Sequence, residues 1–382
     1  MANTLTNLFP DIYGAIDVVS RELVGFIPRV GRDSTEERAA KDETIRWPVT
    51  PAQTAGDVTP SNIPPALPDS TIGNLTITLN KLRDTGFHYT GEEQKGLQNA
   101  TTFTSIFQQQ MEQSIRVLVN EIEADLASLF VNASRAFGIA GTTPFGTNKL
   151  GDAAELKKIL DDNGAPKGDR HLVVDTAAGV NIRSLTQLTN VNEAGDPELL
   201  RRGMLGLPVF GFNMGESEGI KTQTAGTGAS YLVNNGAGLV KGTTTVAVDT
   251  GTGTILAGDV VDFAVDTSLK YVVKTALSGG SFAINLPGIR GVTVPDNNAV
   301  TLAADYVANM AFSRNALRLA TRVPQKPIGG DSADAEEVVT DPISGLSFLV
   351  SEYGGFHARQ YRVSILYGFA IGKAEHLALL LG

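Results

Sequence analysis

The sequence predicts an α+β chain built from several units, and three observations carry that prediction. A helical period runs from Ala100 to Ala136 with no Gly or Pro to break it. Helix and strand signals then alternate between residues 151 and 221. From Thr222 to about Ala304 the composition shifts to Gly, Thr and Val, and only short strand-like runs between Gly-rich turns survive. A chain of 382 residues holds two or three cores at about 100–200 residues per domain.

The elements follow in order. Ile12, Ala15, Ile16, Val19, Leu23 and Phe26 recur at helical spacing opposite Asp17, Arg21 and Glu22, which predicts an amphipathic helix closed by Pro28. The polar run "GRDSTEERAAKDE" behind it reads as a tether, so the helix reads as an arm. Removing residues 1–27 is expected to leave a folded chain that assembles poorly. Six prolines between Pro48 and Pro68 hold the next stretch extended. Leu75, Ile77 and Leu79 alternate with Thr76, Thr78 and Asn80, the two-residue period of a strand, and a second short strand is expected around Phe87 to Tyr89. Strands on both sides of a Pro-rich connection predict a projecting β-loop.

In the long helix, Phe103, Phe107, Met111, Ile115, Leu118, Ile122, Leu126, Leu129 and Ala133 form the apolar stripe, with Gln108 to Gln110, Glu112, Glu121 and Glu123 on the other faces. At 1.5 Å per residue the rod would reach roughly 50 Å. "DAAELKKILDDNG" is a helix ended by Asn163-Gly164, "HLVVD" a buried strand, "TAAGVNIRSLTQL" a helix, and "RRGMLGLPVFGFNM" a loop leading into a strand. After the all-β module, "NALRLATRVP" reads as a buried strand with Asn315 and Arg318 outward, "GGDSADAEEVVTDPISG" as an acidic loop, and the remainder as strands.

Chemistry is hard to find. The net charge of −10 speaks against a general nucleic-acid binder, and the absence of cysteine excludes disulfides and thiolate metal sites. The first residues carry neither a basic n-region nor a long apolar run, so no signal peptide or membrane span is expected. His88, His171, His357 and His376 show no metal-ligand spacing. "GGSFA" around Ser281 fails the nucleophile-elbow pattern, and "GTGTILAGD" is followed by strand rather than by the helix N-terminus a dinucleotide loop needs. Asp175 reads as a helix cap, and Asp331, Asp334, Glu336 and Glu337 lack calcium-loop spacing. No enzyme, cofactor or metal is expected. What stands out is mechanical: an arm, a projecting loop, a rod, an α/β body and a β insert, the layout of a subunit whose extensions are ordered by other chains.

That layout resembles the major capsid protein fold of tailed bacteriophages, with N-arm, E-loop, spine helix, peripheral domain and axial domain. It is most similar to the coat family of short-tailed Salmonella-type phages that carries a β-barrel insertion domain. The residues that carry the resemblance are "ETIRWPVTPAQT", "RRGMLGLPVFGF", "LAGDVVDFAVDTSLKYVV", "NALRLATRVP" and "YRVSILYGFAIGKAEHLALLLG", in order along nearly the whole chain. The resemblance implies an N-arm at 1–40, an E-loop hairpin at 41–95, spine helix and peripheral domain at 96–150, axial domain at 151–221, inserted barrel at 222–310, a return to the axial domain at 311–340, and closing strands at 341–382. It implies a shell of hexamers and pentamers of this chain in a virion, assembled in the bacterial host cytoplasm. A scaffolding protein and a portal would be the partners, with double-stranded DNA enclosed without sequence-specific binding and no membrane. Candidate assembly contacts are Asp17 and Arg21 on the arm helix, Trp47 at the foot of the β-loop, and Arg201 and Arg202 ahead of the insert. The plainer readings are a solvated helix face for the first pair and ordinary core packing for Trp47. An encapsulin-like compartment and a β-rich surface or adhesion protein are the alternatives.

Overall fold

The computed structural model describes residues 23–50, 53, 55–58, 60, 62, 69, 71–99, 103–147, 149–189 and 208–382. It is α+β: a six-stranded sheet, a larger sheet that runs into a barrel, a two-stranded ribbon and one long helix.

The polar run expected to tether an arm is a strand, β1 (Gly31–Ala39), paired parallel to β16 (Leu317–Pro324) from Gly31↔Arg318 onward. An edge strand hydrogen-bonds along one side only and needs no apolar alternation, so its sequence gave no strand signal. β2 (Thr44–Val49) and β3 (Gly73–Thr78) pair with each other as a separate ribbon. Pro48 is accommodated there because alternate N–H groups of a two-stranded ribbon point outward.

The strand expected at Phe87 to Tyr89 is ten residues long, β4 (Lys81–Thr90), and pairs along its whole length with β19 (Ala358–Ile371). β19 also pairs β16 and β18 (Ser347–Gly355), and β17 (Ala333–Thr340) completes the sheet beside β18. β17 is the run read as an acidic loop. Its charge is tolerated because Glu336 meets both Arg38 (3.1 Å) and Lys326 (2.5 Å). A short helix, α1 (Gly91–Asn99), starts on a capping box: Thr90 Oγ1 accepts from the Glu93 N–H (3.3 Å) and Glu93 Oε2 accepts from the Thr90 N–H (2.8 Å).

The long helix, α2 (Phe103–Ala127), lies on β4 and β19. Phe107 sets its ring edge-on to Phe87 (5.5 Å) and Tyr361 (4.7 Å), while Lys81 and Arg83 reach Asp125 and Glu121 at 2.7 Å each. At 25 residues α2 spans about 37 Å, shorter than the period suggested. Its last turns become a 3-10 segment, Ser128–Asn132, and then a strand, β5 (Arg135–Gly138). Tertiary contacts override the period: Phe130 is buried edge-on to Tyr306, and Ser134 donates both its N–H and its hydroxyl to the Leu377 carbonyl.

α3 (Gly151–Asp162) stops at Asn163 with Gly164 at φ +73°, as its sequence predicts. β6 (Arg170–Val174) is buried throughout, and the Asp175 carboxylate caps α4 (Thr176–Ser184) by accepting from the Ala177 N–H (3.1 Å). The helix expected through Leu188 is interrupted at extended Leu185, leaving a single turn, α5 (Thr186–Thr189). The second sheet then runs β7 (Phe212–Glu216), β6, β15 (Tyr306–Ser313), β20 (Leu377–Leu381), β5, with β6–β7 and β5–β20 parallel. α3 and α4 cover one of its faces through Leu156, Leu160 and Ile182. The other face, with Val173, Met310, Phe312 and Leu379, meets α2 and the first sheet.

Between β7 and β15 lies the β-only module. β8 (Thr222–Gln223) pairs β15. The next six strands are β9 (Tyr231–Val233), β10 (Thr245–Asp249), β11 (Val260–Phe263), β12 (Asp266–Ser278), β13 (Ser281–Ile284) and β14 (Ala299–Leu302). Their order, β11-β14-β9-β10-β13-β12, closes through β12–β11, so they form a barrel. Its interior has its own core, including Val246, Phe263, Phe282 and Val300. The Gly-Asp step before β11 has a structural purpose, since buried Asp259 accepts from the amides of Gly226 (3.1 Å) and Leu256 (2.7 Å) and from Gln223 Nε2 (2.9 Å). One pairing, Tyr271↔Arg135 and Lys270↔Ala136, joins the barrel to the second sheet.

Candidate assembly interface

Among the described residues the strands of the ribbon, β2 and β3, pair only with each other, and Val58 and Ile72 in the segment between them are 94% and 65% exposed. An isolated two-stranded hairpin is marginal in water, so the foot of the ribbon has to be fixed elsewhere. Ile77 and Leu79 sink fully into a small core with Ala39, Ala320 and Leu366. A side chain at Gly368 would overlap the Thr78 carbonyl oxygen, which is why the sheet carries glycine there. Trp47 is half-buried on the same side, and the Arg318 guanidinium stacks over its ring at 5.3 Å. The one tryptophan therefore does sit at the foot of the ribbon, held by a contact within its own chain.

A second anchor fixes the first described residues. Glu123, expected on an outer face of the long helix, is 3% exposed. Its carboxylate accepts from the N–H groups of Gly25 (2.5 Å), Phe26 (2.6 Å) and Ile27 (3.1 Å) and from the Ser217 hydroxyl (2.7 Å). Arg29 completes the clamp by donating to the carbonyls of Gly25 and Met214, both at 2.9 Å. Burial lowers the Arg29 pKa, partly offset by Glu123. Leu23 to Gly25 are not helical, contrary to the expected helix through Phe26. Phe26 and Ile27 are wholly buried, with Phe26 stacked on Phe312 at 6.1 Å, so a cut after residue 27 would open the core rather than trim an arm.

Other features point outward. The β18–β19 hairpin turns through Phe356 and His357, and Phe356 is 93% exposed. Ile328, in the connection from β16 to β17, is fully exposed.

The remaining sequence candidates fall as follows. Asp17, Arg21, Arg201 and Arg202 lie outside the described residues. His171 is buried against Phe312 with Nε2 on Asp169 (2.9 Å), and its pKa is lowered by that burial, with Asp169 opposing the shift. His88 belongs to β4, His357 to a hairpin tip and His376 to the link before β20. Asp331 accepts from the Ala333 amide and the Tyr353 hydroxyl. Among the described residues no three His, Asp or Glu side chains gather as a metal ion would require, and no helix is long and apolar enough to cross a membrane. Glu123 and Arg318 are the anchoring residues that the sequence did not single out. Their partners are distant in the chain, so no local spacing could have marked them.

No family model and no curated protein matches the chain. Solved structures do. The chain is similar to one from Mycobacterium phage Che8, with 14% identity, 99% of this chain and 98% of that one covered, and a TM-score of 0.52. It is also similar to a chain of the capsid structure of the cyanophage P-SCSP1u, with 11% identity, 98% and 93% coverage, and a TM-score of 0.53. At such identities the likeness is one of fold, and that fold, from end to end, is one found in a phage capsid.

Proposed function

We propose that this chain is the coat protein of a tailed bacteriophage, a non-enzymatic subunit that assembles with copies of itself into an icosahedral shell around double-stranded DNA. The observation that carries the reading is the likeness to a capsid chain over 98% of the sequence. In this reading residues 1–22 belong to the N-arm, β2–β3 is the foot of the E-loop, α2 is the spine, sheet one the peripheral domain and sheet two the axial domain. The barrel is the insertion domain of the Salmonella-type coat family. Asp17, Arg21, Arg201 and Arg202 are assigned to contacts between neighbours. Hexamers and pentamers of one sequence require those extensions to flex while the bodies stay rigid. A scaffolding protein and a portal are the expected partners, and the acidic balance suits a wall that does not trap DNA.

Negative-stain microscopy and sedimentation of the purified chain, expressed alone and with the neighbouring phage genes, test this. Closed particles of uniform diameter are expected in at least one condition, and removal of residues 1–22 should leave a folded chain that forms fewer of them. Monomers alone in every condition would refute the proposal.

A further inference from the structure

A cleft of about 350 Å³ opens under the foot of the ribbon, between Trp47 and Leu75 on one side and Asp169, Ser313, Arg318 and Lys373 on the other. Its charges do not balance internally. The one carboxylate on its wall, Asp169, is already committed to Arg314 (2.7 Å) and His171 (2.9 Å). Arg318 stacks on Trp47, its Nε is buried without a hydrogen-bond partner, and neither it nor Lys373 forms an ion pair with any described residue. Ser313, 3% exposed, lines the same cleft with a buried hydroxyl that also has no partner. Unsatisfied buried donors are rare in folded proteins, and here two of them border a concave surface that also carries an uncommitted lysine.

We propose that this cleft is an oxyanion-binding site, in which Arg318, Lys373 and the Ser313 hydroxyl receive the oxygens of a carboxylate or phosphate group. A guanidinium fork and an ammonium are the groups that recognise such oxygens, and the cleft admits a single group rather than a folded partner. Burial lowers the Arg318 pKa, and a bound anion would offset that cost. Two sources offer this chemistry: free inorganic phosphate, or an Asp or Glu side chain of a second copy. The second source rests on the shell reading above, and the first does not.

Trp47, the only tryptophan, reports on the site because Arg318 covers its ring. Inorganic phosphate titrated into the dilute chain, against chloride at matched ionic strength, is expected to give a saturable change in tryptophan fluorescence. Lys373→Gln and Arg318→Gln should each weaken it about tenfold or more, and Ser313→Ala less. If the natural anion is a carboxylate of another copy, the same substitutions and added phosphate should also weaken self-association in sedimentation velocity. Binding of phosphate with association unchanged assigns the site to the free ion. Circular dichroism and thermal melts establish that each variant is folded; should Arg318→Gln fail, Lys373→Gln and Ser313→Ala carry the test. The proposal is overturned if folded variants leave association unchanged and phosphate gives no saturable response. Phosphate binding without particles would sink the shell reading and keep the site, whereas normal particles with neither effect would sink the site alone.

Discussion

The barrel and the ribbon are both antiparallel β-structure, yet they solve the problem of burial in opposite ways. Six barrel strands close on one another, so no edge is left open and Val246, Phe263 and Phe282 fill a shared interior. The two ribbon strands close nothing: among the described residues each pairs along one edge, and the foot reaches a core through Ile77, Leu79 and the Trp47–Arg318 stack. The barrel therefore buries its apolar side chains within itself, while the ribbon does so only at its foot. If the proposed shell reading holds, the barrel is the part that keeps its shape before assembly and the ribbon the part that gains order through it.

The largest effect expected from breaking this contrast is at Phe282, 2% exposed in the barrel core. Phe282→Ala should cost about 3–5 kcal/mol and render the module sensitive to proteases, read by denaturant unfolding and limited proteolysis. Next comes Glu123→Ala, which leaves three buried amides and the Ser217 hydroxyl without an acceptor. A loss of about 3 kcal/mol is expected, with cleavage appearing near residue 25 while the barrel stays protected. Smaller again is the dependence on pH. Burial lowers the pKa of His171, where Asp169 opposes it and Arg314 and Arg29 reinforce it. His376 is lowered first by burial and then by Lys373, with Glu375 opposing. Because the folded state holds these protons less tightly than the unfolded one, stability is complete above the ordinary value of 6.5 and is lost as pH falls below it. Unfolding free energy should fall on acidification through that window, by no more than about 1.4 kcal/mol per histidine per pH unit, with a matching drop in melting temperature, and His376→Gln should flatten part of the slope. The smallest effect is at the exposed tip. Phe356→Ser should leave the dilute chain within about 0.5 kcal/mol of wild type, so any loss it causes in assembled particles reports a contact between copies.

How far the sequence reveals this design depends on whether the deciding contacts are local. The buried strand Arg170–Val174, its Asp175 cap and the Asn163-Gly164 stop were legible because each is determined by residues within a turn of it. The barrel was legible as a composition, although its closure depends on the non-local pairing of β11 with β12. The Thr90-x-x-Glu93 capping box is a local signal of the same kind, and it starts α1. Elsewhere local signals misled or were silent. The helical period continues past Ala127, where Phe130 and Ser134 are recruited by Tyr306 and Leu377 instead. β1 and β17 are polar edge strands, and Glu336 is neutralised by Arg38 and Lys326 from other elements. Glu123 looked like any outer-face carboxylate, and the backbone amides it binds lie 96–98 residues away. Trp47 could be placed at the foot of the loop from its neighbours, but its Arg318 partner could not.

Hydrogen exchange followed by mass spectrometry, on the dilute chain and on its associated form, tests the central claim most directly. The account expects amides of 44–49 and 73–78 to exchange rapidly when dilute and to become protected on association, with those of 231–302 protected equally in both. A ribbon already as protected as the barrel in the monomer, and unchanged on association, would contradict it.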